Sequence, residues 1–231
     1  MGLIETYPLV GRGIYTIPEA SRLTHVSTGR VRRWVKGYSF RVLDSLHSSP
    51  PILPGLPPIE GVIALEFLDI VEIRFVDAFL DAGVSWKALR LAHLKGREIF
   101  GTGHPFSTRK FSTDGRSIFV EVGREVSEPA LLDLVKNQLV FRKLTMPFLR
   151  QLEFSDDDTA SRWWPLGKHR PVVVDPQRTF GQPIVNREGV PTAVLFKAYK
   201  TEGSFARTAM WYDVKISSVR AAVEFEQQLA A

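Results

Sequence analysis

Residues Thr16 to Gly37, TIPEASRLTHVSTGRVRRWVKG, leave the chain few local choices. Thr16-Ile17-Pro18-Glu19 is a T-x-x-E capping box with proline in the first turn, where a missing N–H has no helical acceptor to lose. A helix therefore starts at Ile17. Ile17, Ala20 and Leu23 recur at three-residue spacing, and Thr24-His25-Val26 breaks the pattern before Ser27 offers a second N-cap. A second helix runs to about Lys36. At about 100° per residue, Val31, Trp34 and Val35 share one face while Gly29, Arg32, Arg33 and Lys36 fan round the other. Gly37 ends it as a C-cap.

Charge gives this helix pair a direction. The whole chain is only mildly basic, +5 from 30 basic and 25 acidic residues. Between Arg12 and Val42, however, Arg12, Arg22, Arg30, Arg32, Arg33, Lys36 and Arg41 face a single acid, Glu19. A basic second helix after a three-residue turn is the helix-turn-helix arrangement, which lays that helix in the major groove of double-stranded DNA. Ser27, Thr28, Arg30, Arg32, Arg33 and Lys36 are the candidate DNA contacts. A solvated face on an ordinary helical hairpin is the alternative.

At these residues the sequence resembles the start of MerR-like and excisionase-like DNA-binding domains, with T-x-x-E-A, then V-S, then a short run ending in R-W. The resemblance covers Thr16 to Gly37 and implies that Ser27 is the cap, Val31 and Trp34 are core, and Arg32 and Arg33 face DNA. Where that family continues into a wing, this chain has SSPPILPGLPPIEG, and its prolines predict a polyproline-rich connector over 48–61. A second helix pair is expected beyond it, from about Leu65 to Ala82 and, after the Ser85 cap, from Trp86 to Ile99. It resembles the second pair of MerR-like domains through Gly83, Ser85, Trp86, Leu89 and Arg90. With seven acids against five bases between Glu60 and Phe100, its expected role is packing or homodimerisation, with the Leu65–Ala82 helix as the interface.

Asp114-Gly115 between alternating runs predicts a β-hairpin over 108–122, with Arg109, Lys110 and Arg116 near its tip. That hairpin is read either as a basic wing against DNA or as a plain structural element. Glu128 to Met146 has helical spacing and is expected to end before Pro147. FLRQLEF and ASRWWPL then read as strands joined by Ser155 to Thr159. The three aspartates in that turn lack the alternating spacing of a calcium loop and are read as solvated.

The remainder predicts a short strand at Val172–Val174, turns at Asp175-Pro176 and Gly181-Gln182-Pro183, and a hairpin at Glu188-Gly189. Three helices follow, about Thr192–Lys200, Ser204–Trp211 and Ile216–Leu229. This order resembles the VapB-like antitoxin domain formerly catalogued as a domain of unknown function. Asp175, Pro176, Gly181, Pro183, Gly189, Val190, Thr192, Gly203, Tyr212, Val214 and Val219 carry the resemblance. The segment Asn186-Arg187-Glu188-Gly189 departs from the family's Gly-x-Arg pattern. With the N-terminal pair, the whole chain resembles the longer VapB-type antitoxins, which implies a PIN-like ribonuclease toxin as partner. Trp163, Trp164, Arg178, Arg187, Arg207 and Trp211 are the candidate toxin contacts, the aromatics standing equally as core.

The expected architecture is α+β, predominantly α. It comprises a MerR-like region over 1–123, a helix plus β-hairpin over 124–170, and a small three-helix C-terminal domain over 171–231. The expected function is a DNA-binding antitoxin that neutralises its toxin and represses its own operon. The alternative is a MerR-like transcription regulator with a C-terminal small-molecule or partner-sensing domain. Nothing points to an enzyme, a cofactor or a metal. Zero cysteines exclude thiolate chemistry, the five histidines (His25, His47, His93, His104, His169) are scattered, and GTGHPF follows a helix rather than a strand. With no apolar run of the roughly 18 residues a bilayer requires, and no secretory signal, a cytoplasmic protein is expected. Gly2 and Thr6 fit the loose N-myristoylation pattern, taken as chance.

Overall fold

The capping box forms as its spacing dictates: Glu19 N–H donates to Thr16 Oγ1 at 3.3 Å and the Glu19 carboxylate accepts from Thr16 N–H at 2.8 Å. It opens α1 (Ile17–Thr24), which buries Ile17, Ala20 and Leu23. His25 then turns the chain in the left-handed conformation, and Ser27 Oγ accepts from Arg30 N–H to start α2 (Thr28–Lys36). Gly37 follows with φ 71°, and a Cβ there would lie 2.3 Å from the Ser49 carbonyl oxygen, so only glycine lets the chain turn back at this point.

This computed structural model describes residues 9–43, 45–53, 55–59 and 61–230. The Gly2 and Thr6 reading lies outside them. By compactness the chain divides into two units, Thr16–Ser161 and Arg162–Ala231, the second including the segment that ends at Tyr15. The helices over 129–150 thus belong with the N-terminal ones rather than to a separate middle region.

In the first unit one antiparallel hairpin runs up to the expected connector over 48–61, overlapping it only at Ser48 and Ser49, and the first strand of a second hairpin takes up its latter part. β1 (Tyr38–Val42) pairs β2 (Ser45–Ser49) from Tyr38↔Ser49 to Val42↔Ser45, and β3 (Leu56–Ile59) pairs β4 (Val62–Ala64). Between Leu56↔Ala64 and Ile59↔Val62 the register shifts, and Pro57 and Pro58, which have no N–H to donate to a ladder, occupy that irregularity. Burial fixes the segment between: Ile52, Leu53 and Leu56 are in the core, and the Ile52 and Leu53 N–H groups both donate to the Trp34 carbonyl.

α3 (Phe67–Asp81) and α4 (Trp86–Phe100, with Ser85 as N-cap) follow the sequence expectation, but α3 is no dimer interface. Phe67, Ile70, Val71, Ile73, Phe75, Val76 and Phe79 are all buried within the unit, so the breadth of its apolar surface reflects a central helix. The hairpin expected over 108–122 is instead α5 (Arg109–Glu125), preceded by a single 3-10 turn at Pro105–Ser107. Phe111, Ile118, Phe119 and Val122 bury one helical face, and Thr108 caps the helix, so tertiary packing overrides the Asp-Gly turn signal. Gly115 lies under the Phe111 ring, where a Cβ would meet it at 2.6 Å.

The helix expected over 128–146 is two helices, α6 (Pro129–Lys136) and α7 (Gln138–Arg150), because Asn137 accepts from Leu139 and Val140 N–H and re-caps the chain. Pro147 sits inside α7, and Phe148 to Arg150 are helical, so only Leu152–Phe154 remains as β5. The core is aromatic: Phe79 stacks on Phe119 at 4.6 Å, and Phe106 and Phe111 lie 4.9 Å apart.

The second unit starts within β6 (Ala160–Trp163), whose Trp163 pairs Val174 of β7 (Val172–Val174); β7 pairs β8 (Pro183–Val185), both antiparallel. A tight turn leads into α8 (Thr192–Glu202), α9 (Phe205–Trp211) and α10 (Ile216–Ala230), as the sequence predicts. Val185, Leu195, Ala209, Val219, Ala222 and Val223 form their common core. Among the described residues no helix is long and apolar enough to cross a membrane.

Candidate nucleic-acid interface

α2 is held rigidly from behind, which leaves its other face free. Val31, Trp34 and Val35 are buried; Trp34 stacks on Trp86 of α4 at 6.2 Å, and Trp86 Nε1–H donates to Ser49 Oγ at 2.9 Å. That bond ties helix, hairpin base and α4 together. Arg32, Arg33 and Lys36 are exposed on the opposite face, with Ser27 and Thr28 exposed at the helix start.

Arg30 differs from its neighbours. Its guanidinium pairs with Asp77 at 2.8 Å and Asp81 at 3.2 Å on α3, and lies 5.3 Å from the Trp34 ring. It clamps α2 onto α3 and is a positioning group there, not a free contact. The β1–β2 hairpin leaves α2 directly and carries exposed Arg41 and His47, the latter stacked on Phe40 at 5.6 Å. Neither residue stands among the expected wing contacts, because the prolines beyond Ser49 mask a hairpin that ends before them.

The residues assigned to a wing over 108–122 lie on α5. Arg109 and Lys110 are in its exposed first turn, while Arg116 is half-buried and donates from Nε to the Val135 carbonyl at 2.7 Å.

Of the expected toxin contacts, Trp163 and Trp164 are buried, because the strand and its continuation are covered on both faces. Arg178 donates to the backbone and side-chain oxygens of Asn186, and Arg207 to the Glu202 carbonyl; both brace loops of their own unit. Arg187 and Trp211 are exposed, Trp211 at 68%. With Val194, Ala198 and Tyr212, Trp211 lines a groove of about 600 Å³ on α8 and α9, and Met210 is exposed beside it.

Two histidines that read as scattered in the sequence converge in the core of the first unit. Glu72, fully buried on α3, meets His93 Nε2 at 3.0 Å and His104 Nδ1 at 3.3 Å, and accepts from Phe106 N–H at 2.8 Å. His104 Nε2 also meets Glu66 at 3.0 Å, and Asp69 accepts from Glu66 N–H. Burial raises Glu72, but His93 and His104 outweigh it and hold the carboxyl at about 2. Burial likewise lowers His104, yet its bonds to Glu66 and Glu72 keep it charged up to about 10. Asp69 is pushed by burial up to about 6 against the opposing effect of His104. The network pins the 3-10 turn to α3 and α4. Its sequence signal is the i, i+3, i+6 run of Glu66, Asp69 and Glu72 set among Phe67, Ile70 and Ile73. Among the described residues no group of histidines and acids is arranged to hold a metal ion.

No family model matches the chain. It is 29% identical over 222 residues to the Mycobacterium tuberculosis (strain ATCC 25618 / H37Rv) protein described as "Putative antitoxin VapB45", a match that spans 91% of this chain and 92% of that protein. The crystal structure of Rv2018 from Mycobacterium tuberculosis superposes with a TM-score of 0.73 at 27% identity, over 94% of this chain and 98% of that one.

Proposed function

We propose that this chain is the antitoxin of a type II toxin–antitoxin pair, which keeps a PIN-like ribonuclease toxin inactive and represses its own operon through operator DNA. The observation that carries the reading is the near end-to-end likeness to the VapB45 protein, 91% of one chain against 92% of the other. A likeness confined to a shared DNA-binding module would leave the C-terminal unit unaccounted for. Here both units are included.

In this reading α2 enters the major groove as the second helix of a helix-turn-helix resembling that of MerR-like proteins. Arg32, Arg33 and Lys36 reach base edges and phosphates, with Ser27 and Thr28 hydroxyls at the backbone. Arg41 and His47 on the β1–β2 hairpin act as the wing. Arg30 keeps its ion pairs with Asp77 and Asp81 and fixes the angle at which α2 is presented. One such helix reads only a few base pairs, so a homodimer on two half-sites about 34 Å apart supplies the specificity. The toxin is held by the C-terminal unit, whose exposed Met210, Trp211 and Tyr212 offer the aromatic and apolar anchors that protein interfaces centre on.

The test is co-expression of the tagged full chain with the gene adjacent to its own. A small ribonuclease that co-purifies in one-to-one ratio, and whose RNA cleavage is suppressed in the complex, is the expected result. A chain that purifies alone, and leaves the neighbouring product's activity untouched, refutes the antitoxin reading.

A further inference from the structure

The second unit carries two surfaces of opposite chemistry. One is the apolar groove of Val194, Trp211 and Tyr212. The other is a cleft of about 590 Å³ lined by Lys168, Arg170, Arg187, Lys215 and Arg220, with Asn186 and Ser217 offering polar groups between them. Its one acid, Glu188, accepts from Lys215 N–H at 3.3 Å and Ser218 Oγ–H at 3.2 Å, and Arg170 pairs with Glu224 outside the lining. Lys168, Arg187, Lys215 and Arg220 make no ion pair among the described residues, although the Arg220 guanidinium lies 4.5 Å from the Phe205 ring. Four cations without an ion-pair partner thus border one concavity, against the single carboxylate of Glu188.

The helix that forms its wall has a matching outward stripe. α10 buries Val219, Ala222, Val223 and Leu229, while Ser217, Arg220, Glu224 and Gln227 follow one another at helical spacing on the other side. α9, the turn over 212–215 and α10 make a short helix, a four-residue turn and a longer helix. The lining offers cations, hydroxyl and amide groups and no exposed aromatic anchor, since Trp164 is buried. Protein interfaces centre on apolar and aromatic anchors, whereas Arg, Lys, Ser and Asn are the side chains that hold phosphates. We propose that this cleft binds the phosphate backbone of duplex DNA, so that the chain grips DNA with its C-terminal unit as well as with α2.

The experiment measures fluorescence anisotropy of the full chain on duplexes about 30 base pairs long, three helical turns. One duplex has scrambled sequence and the other is taken from upstream of the gene. The variant Lys168→Ala/Arg187→Ala/Lys215→Ala changes only exposed side chains, and an unchanged melting temperature verifies its fold. It should bind both duplexes at least about tenfold more weakly at about 0.1 M salt, with the slope of log affinity against log salt reduced by about one for each phosphate no longer neutralised. A parallel Arg32→Ala/Arg33→Ala variant should lose the preference for the upstream duplex, so failure of the α2 reading is scored separately. The proposal is overturned by a wild-type salt slope in the triple variant. It is equally overturned if the variant loses binding only to single-stranded RNA, or only to the ribonuclease partner.

Discussion

Replacing Glu72 by Gln tests the buried charge network, because the amide keeps the shape and an acceptor for Phe106 N–H while removing the charge that His93 and His104 face. In the wild-type fold His104 rises from 6.5 to about 10. At 1.36 kcal/mol per unit that is on the order of 5 kcal/mol of stabilisation. Glu66, Glu72 and Asp69 all raise His104, so the charge of Glu72 accounts for a part of that figure. His93 also loses its carboxylate partner, at about 1–3 kcal/mol for a buried polar group. The expected loss is therefore about 3–5 kcal/mol, in line with breaking a buried pair and a large part of a typical domain's stability. The signs are set by the shifts. A raised histidine stabilises fully below pH 6.5 and loses that contribution as pH rises through about 10. A lowered carboxyl stabilises above 4.5 and loses it as pH falls towards about 2. Urea unfolding at a series of pH values should show Glu72→Gln less stable at pH 7 and flatter towards both ends. A variant within about 1 kcal/mol of wild type, with a parallel pH curve, would refute the reasoning, since that is below the cost of one orphaned buried group.

Three further outcomes follow from the packing. Arg32→Ala with Arg33→Ala should weaken operator binding by about 1–3 kcal/mol for each base edge no longer read, with no change in melting temperature; a gel shift at wild-type affinity removes α2 as the reader. Trp34→Ala should cost about 3–5 kcal/mol by thermal or chemical unfolding, since it deletes the stack on Trp86 at the back of α2. Gly115→Ala should destabilise by about 1–3 kcal/mol despite alanine's better helix propensity, because the Phe111 ring must move; a stabilised variant would show that the ring gives way freely.

Features written into adjacent residues were legible without coordinates. The caps at Thr16, Ser27 and Ser85 start the helices expected of them, the buried trio Val31, Trp34 and Val35 is the apolar face of its helix, and the C-terminal helices appear within two residues of their expected bounds. What misled was local signal without its tertiary context. Asp114-Gly115 has hairpin chemistry, yet Phe111, Ile118, Phe119 and Val122 contribute more by completing an aromatic core shared with Phe79 and Phe106. The prolines after Ser49 obscured the β1–β2 hairpin and β3 alike, although the irregular β3–β4 register accommodates Pro57 and Pro58. His104 lies 38 residues from Glu66 and 32 from Glu72, so only the fold could bring them together. Trp163 and Trp164 read equally well as anchors or core until the strand's two covered faces decided for core.

The second unit also joins two stretches far apart in the chain. Ile14 N–H donates to the Phe180 carbonyl at 3.1 Å and Tyr15 Oη–H to the Gly181 carbonyl at 2.7 Å, across 166 residues in the second case. During synthesis, Ile14 and Tyr15 therefore wait, without these acceptors, until all of Thr16–Ser161 and some twenty residues more have followed. An interrupted translation product can thus complete the first unit but not the second. A fragment starting near Ser127 would lack the same segment from the other side, so dissection of this chain requires residues 9–15 to be supplied with its C-terminal part, as a grafted leader or a separate peptide.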